Sequence, residues 1–374
     1  MVFNSKLVVA GFAIFAIIFG SGNIVFPLIV GKLYPDYWYW ASLGWFISAV
    51  LITFIGCYSA ILYDADNTKL MKPLGKYLTF IVVLCIMILT GPFGAMARSV
   101  TVSCDCVKTV FPSMNPTVFK LVYCTLMTAM AWNPGKMVDL VGRIFTPLKF
   151  GGLIGVVVLA LYFKDPNMPT SPITTGATTA LGNGLIMGYQ TMDMLSAFMI
   201  MGTIFAYIKK SVSAQYSENK PYLHSASVTA FVIAGLILGV VYTSLIYVAS
   251  QYSPMLENIE KAALFIKIAE LSVGASGACF VAIVIAVCCL ATNIALTSVF
   301  SGFLQNDICR GKANEKLLIV ITGLTTFCTS LLGFDALFKI MGEVLTYLYP
   351  ALILFLVIQW IRYRANNKQS SNAS

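Results

Sequence analysis

The sequence predicts an all-α polytopic membrane protein of about ten transmembrane helices, arranged as two inverted sets of five, with helices 1 and 6 broken. Three observations predict it. Of 374 residues, 59% are apolar and 10% charged, against about 25% charged in soluble domains. Long apolar runs recur along the whole chain, separated by short polar breaks. Two of those runs, half a chain apart, carry glycine and polar interruptions at matching depth.

Read between polar breaks, the spans are 5–31, 38–63, 76–110, 117–132, 143–163, 177–208, 222–250, 271–304, 315–332 and 334–362. Several exceed the ~20 residues that a perpendicular helix needs, which implies tilt, kinks or breaks. The first run is too long for the apolar region of a secretory signal, and no small-residue cleavage site follows it. In the last run, Tyr349-Pro350 either separates two short helices or kinks one long one. Charge decides between them. With ten spans and the N-terminus inside, the cytoplasmic loops and ends hold sixteen Lys/Arg, Lys149 among them, and the outer side holds six. Splitting the last run would send Arg362, Arg364 and Lys368 outward, against the positive-inside bias. One kinked helix is expected, with both termini on the cytoplasmic side of the inner membrane.

The same bias accounts for the net charge of +9 without a nucleic-acid partner. The ten cysteines lie mostly inside apolar runs, as Cys85, Cys288 and Cys289 do, without metal-ligand spacing. They read as small buried hydrophobes. His224, the single histidine, sits at a helix start. Neither a Walker loop nor H-E-x-x-H is present, which argues against direct ATP driving and against an enzyme. No cofactor is expected.

A Pro/Thr-rich connection, 164–176, divides the spans into a first set (1–163) and a second (177–364), followed by a polar tail, 365–374, expected to be disordered. Residues 251–270 are expected to include a short surface helix. Because five is odd, the second set lies upside down relative to the first. That is the parity of an inverted repeat, whose binding sites form where discontinuous helices meet near the midplane. Span 1 is interrupted at Phe19-Gly20-Ser21-Gly22-Asn23-Ile24-Val25-Phe26-Pro27, and span 6 at Gly182, Gly184 and Gly188-Tyr189-Gln190-Thr191-Met192-Asp193. Backbone freed from helical bonds at that depth must find partners in protein, water or ligand. Close helix packing by glycine is the competing explanation.

The first interruption resembles the first-helix signature of the branched-chain amino acid:cation symporters, a family of the amino acid–polyamine–organocation superfamily. Gly91-Pro92-Phe93-Gly94-Ala95-Met96-Ala97-Arg98-Ser99-Val100-Thr101-Val102-Ser103 is similar to its third-helix motif, and Gly188 to Asp193 to its sixth. The likeness continues through span 8 and the Leu348-Tyr349-Pro350 corner, nearly the whole chain. It implies a LeuT-like five-plus-five fold and import of leucine, isoleucine and valine coupled to Na⁺, with H⁺ as the alternative ion. Leu28, Ala97 and Asp105 depart from the family's usual proline, proline and glutamate, and ten spans stand where twelve are usual. These departures bear on substrate preference and oligomer contacts. The alternative functions are transport or exchange of another small neutral amino acid, such as alanine or methionine, and a channel or sensor that uses the same site without pumping.

In span 1, Gly20, Ser21, Gly22 and Asn23 are the candidates for substrate or ion contact. The half-helix after Asn23 offers N–H donors to a carboxylate, and unwound carbonyls, with Gly20 among them, suit Na⁺. In span 6, Gly188, Tyr189, Gln190 and Thr191 face that break. Asp193 either meets the substrate ammonium, coordinates a cation or caps the lower half-helix. In span 8, Thr292, Asn293, Thr297 and Ser298 are candidates for the wall facing span 1, with Thr292 and Thr297 as Na⁺ ligands; back-bonding to their own helix competes. Arg98 and Asp105, seven residues apart in span 3, lie ~10 Å from each other, so each needs a partner on another helix, as an outer gate or a structural ion pair. In span 10, Glu343 lies one turn from Lys339, to act in a gate or proton relay or to pair with that lysine.

Overall fold

A computed structural model describes residues 5–64, 67–132, 146–164, 176–211 and 219–372. Helices fill the expected spans in order. Span 1 is α1 (Ser5–Ile18) and α2 (Ser21–Leu33), bent by 73°. Span 2 is α3 (Trp38–Trp45), a π-helical stretch (Phe46–Leu51) and α4 (Ile52–Leu62). The short α5 (Asn67–Met71) leads to span 3, which is α6 (Gly75–Thr90) and α7 (Ala95–Val110). Spans 4 and 5 are α8 (Pro116–Ala131) and α9 (Thr146–Tyr162).

Span 6 is α10 (Ala177–Tyr189) and α11 (Asp193–Ser211), and span 7 is α12 (Lys220–Gln251). A short helix was expected on the surface in 251–270; α13 (Leu264–Val273) begins there, but Leu264, Phe265, Ile266, Ile268 and Ala269 are buried. Spans 8, 9 and 10 are α14 (Ala275–Phe303), α15 (Glu315–Ser330) and α16 (Phe334–Asn372). Three helices start where the sequence places an Asn cap: the side chains of Asn115, Asn219 and Asn314 accept from backbone N–H groups of the first turn of α8, α12 and α15.

Among the described residues, five helical runs are long and apolar enough to cross a membrane alone: 38–62, 69–110, 221–251, 275–308 and 334–365. α1 and α2 form a sixth span across their bend. α16 runs unbroken through Pro350, as the charge argument requires. It also continues to Asn372, where a disordered tail was expected. No glycine or proline lies between Ala351 and Asn372, so nothing in the sequence stops the helix from propagating. Span 3 is not one helix: Gly91-Pro92-Phe93-Gly94 turns between α6 and α7, with the Gly94 and Met96 amides both donating to the Gly91 carbonyl. Lys136, Arg143 and the connection 165–175 lie outside the described residues.

The two broken spans are held by different neighbours. α1 and α2 pack along α12, while α10 lies across α3 and the π-helical stretch. Glycine makes the second contact close. Gly184 rests on the backbone of Ala41, and Gly188 sits against Ser48 and Trp45 with no room for a Cβ.

Candidate functional site

α1 ends because its ladder is diverted. The Gly20 N–H would continue the helix by donating to the Ala16 carbonyl. It donates instead to Asn23 Oδ1 at 2.9 Å. Gly20 becomes the extended N-cap of α2 (φ −108°, ψ −162°), and the side chain three residues on reaches back to it, as in a capping box. Pro27 then removes a further donor inside α2. The Asn23 amide turns across the core, where Nδ2 donates to Asp193 Oδ1 at 2.6 Å and also contacts the Tyr242 hydroxyl. Tyr242 donates to Asp193 Oδ2 at 2.6 Å. The breaks in spans 1 and 6 are thus joined by a carboxylate and two donors, all buried.

Asp193 is the first residue of α11, after Met192 at φ +59°. Its carboxylate stands at a helix N-terminus, where negative charge is favoured. Its partners come from α2 and α12, so it ties helices together besides ending one. Thr191 turns its hydroxyl back to the Gly188 carbonyl at 2.8 Å.

Arg98 supplies the second link. It is buried, donates from Nη1 to the Gln190 carbonyl at 3.0 Å, and lies 4.8 Å from the centre of the Phe26 ring. It reaches that position past Gly22, where an added Cβ would stand 2.7 Å from Nη2. Ser21 Oγ and Ser99 Oγ, 2.9 Å apart, fix α2 to α7 beside it. Arg98 Nε, Gln190 Oε1 and Asn293 Oδ1 are buried and, among the described residues, meet no hydrogen-bond partner. Buried polar atoms of that kind are normally satisfied, so these are the groups that a ligand or water would complete.

The ion-pair expectation for Arg98, Asp105, Lys339 and Glu343 is corrected. Among the described residues none of the four forms an ion pair with another. Arg98 turns inward to a carbonyl and an aromatic face. Asp105 is half-buried on α7. Lys339 and Glu343 are both exposed on α16, with lysine N-terminal to glutamate, the weaker order for a pair one turn apart.

Gly188, expected among the binding residues, meets Ser48 and Trp45, so its lack of a side chain serves packing. Tyr189 is half-buried, with its ring 4.8 Å from that of Tyr349. In span 8, Thr297 Oγ1 donates to its own helix at Asn293 O (2.7 Å), Ser298 Oγ to Ile294 O (3.4 Å), and Asn293 Nδ2 to Met96 O (3.2 Å). Thr292 alone of that set reaches the end of α1. There it meets Lys149, whose Nζ donates to Thr292 Oγ1 at 3.3 Å, Ala16 O at 3.1 Å and Phe19 O at 2.5 Å.

Lys149, Tyr242 and Ser99 were not singled out from the sequence. Lys149 was counted with the cytoplasmic loop, although it falls within the expected span 5. A charged residue inside an apolar run was the signal that could have found it.

A family model described as "Branched-chain amino acid transport protein" matches residues 3–373. The chain is 27% identical over 367 residues to the branched-chain amino acid permease BrnQ of Salmonella typhimurium, covering 96% of this chain and 81% of that one. It is 28% identical over 360 residues to the branched-chain amino acid transport system 3 carrier protein of Pseudomonas aeruginosa, covering 94% and 79%. Among solved structures it is similar to Mhp1, a nucleobase-cation-symport-1 family transporter, in a closed conformation with bromovinylhydantoin bound. The TM-score is 0.65 at 12% identity, over 94% of this chain and 77% of that one. A second likeness is to a Na⁺-coupled sialic acid symporter in a substrate-bound outward-open state, with TM-score 0.54 at 13% identity, over 94% and 78%. At such identities the likeness concerns the fold alone, which is LeuT-like.

Proposed function

This chain belongs to the branched-chain amino acid transport protein family, and on that premise we propose that it imports leucine, isoleucine and valine by cation symport with alternating access. It is a multi-pass membrane transporter and not an enzyme. The proposal places it in the cytoplasmic (inner) membrane with both termini inside. The observation that carries the site is the pairing of two helix breaks through Asn23, Asp193 and Tyr242, with Arg98 lying between them.

The parts suit an amino acid. The N-terminus of α2 at Ser21 and Gly22, together with the free Nε–H of Arg98, makes a positive side for a carboxylate. Gln190 Oε1 and the carbonyls at the end of α10 make an acceptor side for an ammonium. Phe26 and Tyr189 offer apolar walls to a branched side chain. Because Asp193 holds the two breaks together, rocking one bundle against the other opens and shuts the same site. The coupling cation expected from the sequence is Na⁺, with H⁺ as the second reading. The observation favouring the second is the amino group of Lys149 on Thr292, one of the residues assigned to Na⁺, and on the carbonyls of Ala16 and Phe19.

Uptake of labelled leucine by proteoliposomes tests the proposal, with each amino acid as competitor and each ion gradient applied alone. Saturable accumulation, inhibited by isoleucine and valine, is expected. Stronger competition by alanine or methionine would move the substrate assignment. Flux that only equilibrates under every gradient would mark a channel. Failure of leucine to enter or compete would sink the proposal.

A further inference from the structure

Carbonyls unwound at the first break, Gly20 among them, and the hydroxyls of Thr292 and Thr297 were expected to hold a coupling Na⁺. In the structure a side chain of the protein stands against Thr292 and two neighbouring carbonyls. Lys149, one turn into α9, is 1% exposed. An ammonium carries three N–H donors and no acceptor, and three oxygens receive them: Ala16 O, Phe19 O and Thr292 Oγ1. The two carbonyls are available because of the break itself. The donor that would have met Ala16 O was diverted to Asn23, and Phe19 O lies where α1 has ended.

Two features beside Nζ offset part of the cost of burying that charge. The C-terminal end of a helix concentrates negative partial charge, and the Phe19 ring centre lies 5.8 Å from Nζ. Among the described residues no carboxylate pairs with Lys149. The titratable groups acting on it are the thiols of Cys288 and Cys289 on α14. Tyr242 on α12 directs its hydroxyl to Asp193 instead.

The three oxygens around Lys149 do not fit Na⁺. Ala16 O, Phe19 O and Thr292 Oγ1 already serve the ammonium. A metal ion admitted beside Lys149 would stand within about 4 Å of a like charge with no anion to offset it. We propose that the Lys149 ammonium is the resident cation between α1, α9 and α14, standing in the place of Na⁺, so that import proceeds without Na⁺. This rests on the transport reading above.

Thermal melting of the purified protein in Na⁺ against choline, each at about 100 mM, tests occupancy directly. The wild type should melt at the same temperature in both salts. Lys149→Ala, which frees three oxygens, should melt higher in Na⁺, and Lys149→Met serves if the alanine variant does not fold. A Na⁺-dependent rise in the wild type overturns the proposal, as does a folded variant with no Na⁺ response. In proteoliposomes at fixed pH and voltage, replacing Na⁺ by choline should change leucine uptake less than about twofold; a fall of more than about tenfold overturns the lysine proposal and leaves the transport reading intact. No leucine uptake in any ionic condition overturns the transport reading, and melting then decides the lysine proposal alone.

Discussion

Asn23 Nδ2 lies 2.6 Å from Asp193 Oδ1, a bond that joins the break in span 1 to the break in span 6 across 170 residues of sequence. Neither residue has this partner within its own helix. Asn23 spends its oxygen on the Gly20 N–H and its nitrogen on Asp193, so one side chain both ends α1 and docks the opposite repeat. Tyr242 completes the group from α12.

Asp193→Ala should therefore be more damaging than Tyr242→Phe. The first leaves the buried Tyr242 hydroxyl without its acceptor, at about 1–3 kcal/mol, and takes from the Asn23 amide its charged acceptor as well. The second removes one of two donors and keeps the other, at about 1 kcal/mol. Melting in detergent should fall further for Asp193→Ala, and leucine uptake should be abolished by it and reduced by Tyr242→Phe. The reverse ranking would show that the carboxylate is not the joint.

Arg98 and Gly22 make a second coupled pair. Arg98→Lys loses the planar guanidinium that lies over Phe26 while donating to Gln190 O, and lysine does not reproduce both contacts. Gly22→Ala should displace the guanidinium at a cost of about 1–3 kcal/mol. Each variant should raise the KM for leucine and lower the melting temperature. Combined, they should cost less than the two effects added, because both act on one position. Full additivity would separate Gly22 from Arg98.

The spans and both breaks were legible because they depend on local chemistry. Glycine, asparagine and proline interrupt an apolar run wherever the chain goes next. The contents of the site were only half legible. Asn23 and Asp193 stood out as polar groups at depth, yet their contact depends on the packing of span 1 against span 6, which no periodicity encodes. Lys149 reads as a loop residue because a lysine near a span end ordinarily is one, and only the position of the α1 break draws it inside. Lys339 and Glu343 looked like partners from their spacing alone. The third break, at Gly91 to Gly94, carries two glycines and a proline inside span 3, the same local signal as in spans 1 and 6.

Gly188 separates packing from binding. An added methyl meets Ser48 Oγ, so Gly188→Ala should destabilise the protein by about 1–3 kcal/mol through overpacking between α10 and span 2. Removing the obstructing oxygen with Ser48→Ala should restore part of the melting temperature and of the uptake. If Ser48→Ala leaves the defect unchanged, Gly188 acts on the substrate and not on the neighbouring helix.

Thr292 and Thr297 differ in a way that one substitution can read. They stand five residues apart on α14, and both hydroxyls donate back to their own helix, at 3.3 Å to Cys288 O and 2.7 Å to Asn293 O. Only Thr292 also accepts from Lys149. Thr297→Val removes a back-bond whose carbonyl keeps its place in the helix, so its effect should stay within about 0.5 kcal/mol. Thr292→Val leaves one N–H of a buried ammonium without an acceptor, and hydrogen bonds to charged groups contribute about 1.5–3 kcal/mol. Melting temperature and uptake should fall for Thr292→Val, remain near wild type for Thr297→Val, and recover in Thr292→Ser, which keeps the oxygen. Equal losses at the two positions would mean that the hydroxyl of Thr292 contributes nothing beyond its own helix.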